Sequence, residues 1–362
     1  MTAALEAAIE ADPDARSGYA VYADWLQEQG DPRGELIAVQ LAREDAPDDP
    51  ALLARESELL AQHEDDWLGG VTSDNWPFGR TRVKWRRGFV SEAEVLTGYE
   101  SVEAAISLAE LLQRPVGRFV RALELGAAIA YNGRAETDDI SLFELLRDHP
   151  LPTLRRLRVT CFDDDISWTH VGDVSIANPS LCNLEQLTLE VGRFTLGKIE
   201  LPALQHLTLV TGGLRAHVLA SIASARWPAL EQLDVFLGTA DYGGDCTPRD
   251  VVPILAGENL PRVTRLALCN GTFGDELVER VLLADILPRL IHLDLSKGTM
   301  GIDGGRLIAR NLRRFTHLES FDLSENYLSP ALCEQLSAAL PAVNVSAQKL
   351  EGQYGRYVTI SE

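Results

Sequence analysis

Apolar residues along most of this chain fall into one recurring phrase, LxxLxL, with polar residues in the gaps. Eight copies begin at Val120, Leu154, Leu184, Leu204, Leu230, Val263, Leu290 and Leu318, and the last reads LESFDLSEN. Within each copy the alternation has period 2, which predicts a short strand with one buried face. Measured between the second leucine positions, from Leu123 to Phe321, the steps are 34, 30, 20, 26, 33, 27 and 28 residues. Most steps leave room for a helix after the strand. Helical spacing is visible at Leu277–Leu287, Gly304–Phe315 and Ala331–Leu340. The 20-residue step between Leu187 and Leu207 is too short for one, so GRFTLGKIELPA is expected to cross extended.

A fixed-period apolar phrase buries its apolar face only by stacking unit on unit. Phrase and period together resemble leucine-rich repeats, of ribonuclease-inhibitor-like length. The resemblance implies an α/β horseshoe solenoid with a parallel sheet on its concave face and helices on its convex face. Such repeats carry Asn at the ninth position, where its side chain bonds the turn. Only Asn326 keeps it here. Gly192, Gly212, Gly238, Gly271 and Gly298 replace it elsewhere, so those turns are expected to be looser or to use water.

Residues 1–66 have a different rhythm. Leu5, Ala8 and Ile9 share one helical face, and Tyr22, Trp25, Leu26 and Gln29 share another. Gly30 ends that helix, Asp31 and Pro32 open the next, and APDDP (Ala46–Pro50) breaks the chain again. The string YADWLQEQGDPRGELIAVQ, Tyr22–Gln40, resembles the bacterial repeat-companion domain of the myxobacterial and planctomycete type. That resemblance brings no catalytic activity. Asp24, Asp31, Arg33 and Glu35 are accounted for by a helix cap and ion pairs across the turn.

Residues 67–115 read as a linker, a hairpin and a first helix. In RTRVKWRRGFVSEAEV, Arg80, Arg82, Lys84 and Arg86 alternate with Val83 and Trp85, and Arg87-Gly88 makes a turn. The hairpin is expected to cover the open edge of the repeat sheet. Its basic stripe finds its partner in the acidic helices upstream, with a phosphate or RNA contact as the weaker reading. The repeats then occupy 116–346, and 347–362 form a tail or cap.

The 362 residues carry a net charge of −21, and residues 1–66 hold 17 acids against 4 bases. That balance argues against nucleic acid or anionic membrane as partners. The acidic N-terminus lacks the marks of a secretory signal, and no apolar run is long enough to span a membrane. Five scattered cysteines without CxxC spacing indicate neither a disulfide framework nor zinc, and a cytoplasmic location is expected.

Positions between the buried leucines face solvent. The proposed contact residues are Arg156, Arg158, His206, Asp234, Phe236, Arg265, His292, Asp294 and Asp322, basic early and acidic late. Phe236 is the aromatic anchor. Cys269, Ser296 and Ser324 are expected on the same face. Catalytic motifs are missing. His292, Asp294 and Ser296 run along one strand, too far apart for a triad. No cofactor or metal is expected. The reading is a non-enzymatic scaffold for a protein or peptide partner, which the charge suggests is basic; the oligomeric state stays open. One rival is an inhibitor or immunity protein against a basic enzyme or toxin. The other is an enzyme with a site in loops 160–180 or 238–250, where Asp163 and Asp245 would carry it.

Overall fold

The computed structural model describes the chain except for residues 1, 72, 76–78, 98–101, 127–141, 162–165, 354 and 361–362. Four helices come first: α1 (Thr2–Ala11), α2 (Arg16–Glu28), α3 (Arg33–Asp45) and α4 (Pro50–Leu68). Asp49 caps α4, its Oδ1 accepting from Ala51 N at 2.8 Å, and Pro50 opens it. Strands β1 (Ser73–Asn75), β2 (Gly79–Arg86) and β3 (Phe89–Thr97) follow, then α5 (Val102–Gln113) and β4 (Ala122–Gly126). Next come α6 (Leu142–Asp148), β5 (Arg156–Thr160), β6 (His170–Asp173), β7 (Gln186–Glu190), β8 (Arg193–Thr195) and β9 (His206–Val210). The series continues with α7 (Ala216–Ser224), β10 (Gln232–Gly238), α8 (Val252–Ala256), β11 (Arg265–Gly271) and α9 (Gly274–Leu282). It ends with β12 (His292–Asp294), α10 (Ile302–Arg310), β13 (Ser320–Asp322), α11 (Pro330–Ala339) and β14 (Val343–Asn344).

Twelve strands form one open sheet in the order β1-β2-β3-β4-β5-β7-β9-β10-β11-β12-β13-β14. The first two pairings are antiparallel, and every pairing from β3 onward is parallel. The chain is therefore a mixed α/β protein built on a large, mostly parallel sheet with eleven helices among the described residues. A parallel strand needs a crossover to reach its neighbour, and helices or extended segments supply it. One apolar core runs the length of the array, from Leu68 to Leu340. No helix among the described residues is long and apolar enough to cross a membrane.

The parallel run begins at β3 and ends at β14, ahead of and beyond the eight phrases. Ala93 and Val95 stand in register with Leu123 and Leu125. At the other end LPAVNVSAQ (Leu340–Gln348) is a ninth phrase with Val343 paired to Phe321. Between β7 and β9 no helix forms among the described residues; β8 crosses there and pairs with β6 in a small second sheet.

Two of the glycine turns are tied by side chains. At Gly192 and Gly271 a nearby threonine supplies side-chain bonds. Thr169 Oγ1 accepts from Gly192 N at 2.9 Å, Thr211 Oγ1 donates to Gly192 O at 3.2 Å, and Thr299 Oγ1 donates to Gly271 O at 3.3 Å. Asn326 bridges repeats directly: Nδ2 donates to Leu295 O at 2.9 Å and Oδ1 accepts from Met300 N at 3.0 Å. Gln348 repeats that role one turn later, between Leu323 O and Leu328 N.

The helical unit docks on the hairpin. Arg87 (φ 52°) and Gly88 (φ 73°) form its two-residue turn, both left-handed, as a type I′ turn requires. Gly88 N donates to the buried Gln40 Oε1 at 2.7 Å. Arg33 is also buried; its guanidinium lies over the Tyr22 and Phe89 rings and donates to Tyr22 Oη at 3.2 Å. Tyr19, Tyr22, Ile37, Phe89 and Phe119 make a shared apolar cluster. Thus the residues quoted from Tyr22–Gln40 build the joint. Glu35 is spent on Arg55, at 2.7 Å.

Charge completes the joint, and of the expected stripe Arg86 takes part, 3.6 Å from Glu44. Arg87, outside the alternation, clasps Glu44 through Nε and Nη2 at 2.7 and 2.9 Å, and holds that carboxyl below its usual range. Arg118 pairs with Glu6 and Glu10, and Arg121 with Asp14. Arg80 and Lys84 turn instead to Glu94 and Glu92 on β3.

Candidate functional site

The register lays the sequence pattern out as rows across one sheet face. Arg156, Gln186, His206, Gln232, Arg265 and His292 pair strand to strand in one row. The next row of that face carries Glu124, Arg158, Thr188, Thr208, Asp234, Ala267, Asp294 and Asp322. Phe236 lies beyond, half-buried, paired with Cys269. All nine proposed contact residues therefore share one face.

The face has two halves of different electrostatic character. On β2 to β7 the charges are paired with each other. Glu92 receives Lys84 at 2.7 Å and Arg156 at 2.8 Å. Arg158 lies between Glu124 at 3.1 Å and Glu190 at 2.7 Å. The expected early basic patch is therefore a neutral lattice. Sequence reasoning missed it because Glu92 was not placed on the face. The alternation in SEAEV was the available signal.

On β10 to β13, Asp234, Asp294 and Asp322 have no ion-pair partner among the described residues. Asp294 and Asp322 each accept a backbone bond from two residues on, Ser296 N and Ser324 N, both at 2.8 Å. Asn344 repeats this with Ser346 N at 3.1 Å. These side chains end the short strands, and one Asp294 oxygen makes no bond to the described residues. Between Asp234 and Asp294 the row holds only Ala267.

Burial pushes the Asp234 carboxyl up from the usual 3.8, Gln232 and Thr208 pull it down as donors, and the charge of Asp294 pushes it up again. Gln232 Nε2 donates at 2.6 Å and Thr208 Oγ1 at 3.3 Å. A carboxyl raised in the folded state takes up a proton more readily folded than unfolded. Its stabilising contribution belongs to acid pH and is lost as pH rises through the raised value. Asp234→Asn keeps an acceptor for both donors and removes the charge. It is expected to raise Tm at pH 7, with the gain shrinking as pH falls towards 3.8. Thermal melts across pH check this; a gain equal at every pH would assign it to something other than charge.

The third row departs from expectation. Ser296 and Ser324 are buried because the chain turns off the sheet directly after the three-residue β12 and β13, and Cys269, inside the longer β11, is buried against Ser296. Burial drives the Cys269 thiol well above its ordinary range, which removes it as a nucleophile. Ser296 Oγ faces Cys269 Sγ at 3.8 Å and Asp294 holds its backbone, so His292, Asp294 and Ser296 form no triad.

Of the loop residues, Asp163 lies outside the described residues. Asp245 is occupied in structure: its Oδ1 accepts from Ala216 N at 2.6 Å at the start of α7, and Arg215 lies 3.5 Å away. Among the described residues no three His, Cys, Asp or Glu side chains converge as metal ligands. A groove of about 860 Å³ is lined by Pro179, Cys182, Ile199, Leu201, Ser224 and Arg226, none of them on the charged face. It coincides with the step that has no helix, and its mixed walls present no arranged acid, base and nucleophile.

No protein-family model matches the chain, and no curated protein matches it. Among solved structures, the chain is similar to a Bacteroides fragilis protein whose crystal structure was a structural genomics target. The TM-score is 0.62 and the identity 24%, over 71% of this chain and 74% of that one. At that identity the likeness concerns the fold alone.

Proposed function

We propose that the chain is a leucine-rich repeat horseshoe joined to an N-terminal repeat-companion module, and that its concave sheet face is a non-enzymatic docking surface for a protein or peptide partner bearing basic side chains. The in-register rows support the repeat reading, as do the bridging bonds of Asn326 and Gln348. The observation that carries the function is the contrast between the two halves of the face. Evolution of a merely soluble face has no need to leave Asp234, Asp294 and Asp322 unpaired beside a lattice in which Arg156 and Arg158 are saturated. Unpaired, half-buried carboxylates favour a cationic partner that supplies the missing charge.

A random-peptide library selected on the intact chain tests this. The expected binders are rich in Lys and Arg and weaken as salt rises from 0.05 to 0.5 M, roughly following charge screening. Asp234→Asn with Asp294→Asn should weaken them at least about tenfold, a change of about 1.4 kcal/mol. Salt-insensitive binders, or binders indifferent to both substitutions, would overturn the assignment. The same chemistry would serve an inhibitor of a basic enzyme. The acidic module adds little to that reading, since Glu6, Glu10, Asp14, Glu44 and Glu56 are already paired with arginines.

A further inference from the structure

Residues Tyr357–Ile360 fold back over the carboxyl ends of β11 to β14, and the contacts there read main chain. Tyr357 N donates to Tyr327 Oη at 2.8 Å, and that hydroxyl donates to Tyr357 O at 3.1 Å. Asn270 Oδ1 accepts from Thr359 N at 3.0 Å and Ile360 N at 2.8 Å, while its Nδ2 donates to Ile360 O at 2.6 Å. Thr359 N also reaches Lys297 O at 3.0 Å. Lys349 Nζ donates to Tyr357 O at 2.8 Å and Thr359 Oγ1 at 3.2 Å, and lies over the Tyr327 and Tyr357 rings. Val358 is buried.

The reader is built, and part of its tether is exposed. Asn270 is completely buried, and its left-handed backbone (φ 61°) is the turn state that Lys297, Glu325 and Ala347 share at the equivalent position. Burial lowers the Lys349 amine to about 8. Of the linking residues, Leu350 is 89% exposed and Gly352 and Gly355 bond to each other, while Arg356 is held by Asp275 at 3.3 Å and Thr299 O at 3.2 Å.

We propose that this rim is a peptide-binding site, that Tyr357–Ile360 is its resident ligand in cis, and that an extended segment of a partner, with a β-branched residue in the place of Val358, competes for it. Main-chain hydrogen bonds accept any extended peptide, and side-chain pockets then select among them. The rim asks for an aromatic residue against Tyr327 and Lys349, followed by a small apolar one. A tethered segment acts at an effective concentration of about millimolar, so the tail masks the rim from weak competitors. The site is separate from the acidic sheet face and does not depend on that face's function.

Thr359→Pro tests it in the whole chain. The change removes the amide hydrogen read by Asn270 and Lys297 and leaves the rim untouched. Release of the tail is read as faster tryptic cleavage after Arg356. The probe is a fluorescent synthetic peptide, Gly-Arg-Tyr-Val-Thr-Ile, matching residues 355–360. It should bind T359P at least about tenfold more tightly than the wild-type chain, and Asn270→Ala in the T359P chain should remove that gain. Val358→Asp releases the tail by a second route and should behave like T359P, which guards against misfolding of either variant. A folded, released chain that does not bind the peptide would overturn the proposal, and so would equal binding by wild type and T359P.

Discussion

Gly238→Val is expected to destabilise the array by about 3–6 kcal/mol, from left-handed strain and overpacking together. Gly238 holds φ 69°, and a Cβ there would lie 2.0 Å from Gly212 O and 2.2 Å from Gly212 C. Both atoms belong to the backbone of the preceding turn, so nothing flexible can give way. Thr239 N bonds Gly212 O at 2.7 Å, and Gly213 bridges Gly238 directly, so the two turns are stacked in contact. Gly30→Ala is the control: φ is 74°, but no atom lies within 4 Å of the new Cβ. It should cost only about 1 kcal/mol of backbone strain. Urea unfolding of both variants, with Gly238→Ala as an intermediate, separates strain from collision. Equal losses for Gly30→Ala and Gly238→Ala would show that the close approach contributes nothing.

Arg87→Met is expected to loosen the helical unit from the sheet at a cost of about 3 kcal/mol, the scale for breaking a buried pair. The Arg87 side chain is 4% exposed, clasps Glu44, donates to Asp14 O at 3.0 Å and lies 4.9 Å over the Tyr19 ring. Methionine keeps some of the packing and loses every polar contact. Glu44 retains Arg86 at 3.6 Å and Arg16 at 3.7 Å, which limits the loss. Amide hydrogen exchange should quicken in α2 and α3 while β9 to β11 keep their protection. Unchanged exchange in α2 and α3 would place the strength of the joint in the Ile37, Phe89 and Phe119 contacts instead.

The leucine phrase made the sheet register legible residue by residue. A slip of one position turns every apolar side chain to solvent, so Leu157, Leu187, Leu207 and Leu233 could align in only one way. The end strands were harder to see. β3 and β14 use Ala93, Val95 and Val343 where the phrase has leucine, and Gln348 does the work of asparagine. The threonines at Gly192 and Gly271 keep no fixed offset, because each bonds whatever backbone group its own loop length brings near. The neutral lattice was hidden for another reason. Arg156 and Glu92 meet only because β4 separates their strands by a single place, although they stand 64 positions apart in the chain. The acidic half was visible from the start, since its carboxylates lie within the phrases themselves. Tail docking left no trace in the pattern: Asn270, Lys297 and Lys349 act through backbone contacts that no periodicity encodes.

Parallel strands in strict register also make the sheet a ruler. Adjacent strands repeat every ~4.8 Å, so Asp234 and Asp294, two strands apart, are spaced by about 10 Å. A single extended segment laid across the strands advances roughly 6.6 Å between side chains on one side and falls out of step at once. A helix laid the same way returns a side chain to the same stripe after seven residues, about 10.5 Å on. The graduation therefore favours cations seven apart on a helix, and Asp322, one further strand along, adds a mark that a residue three or four positions later would meet.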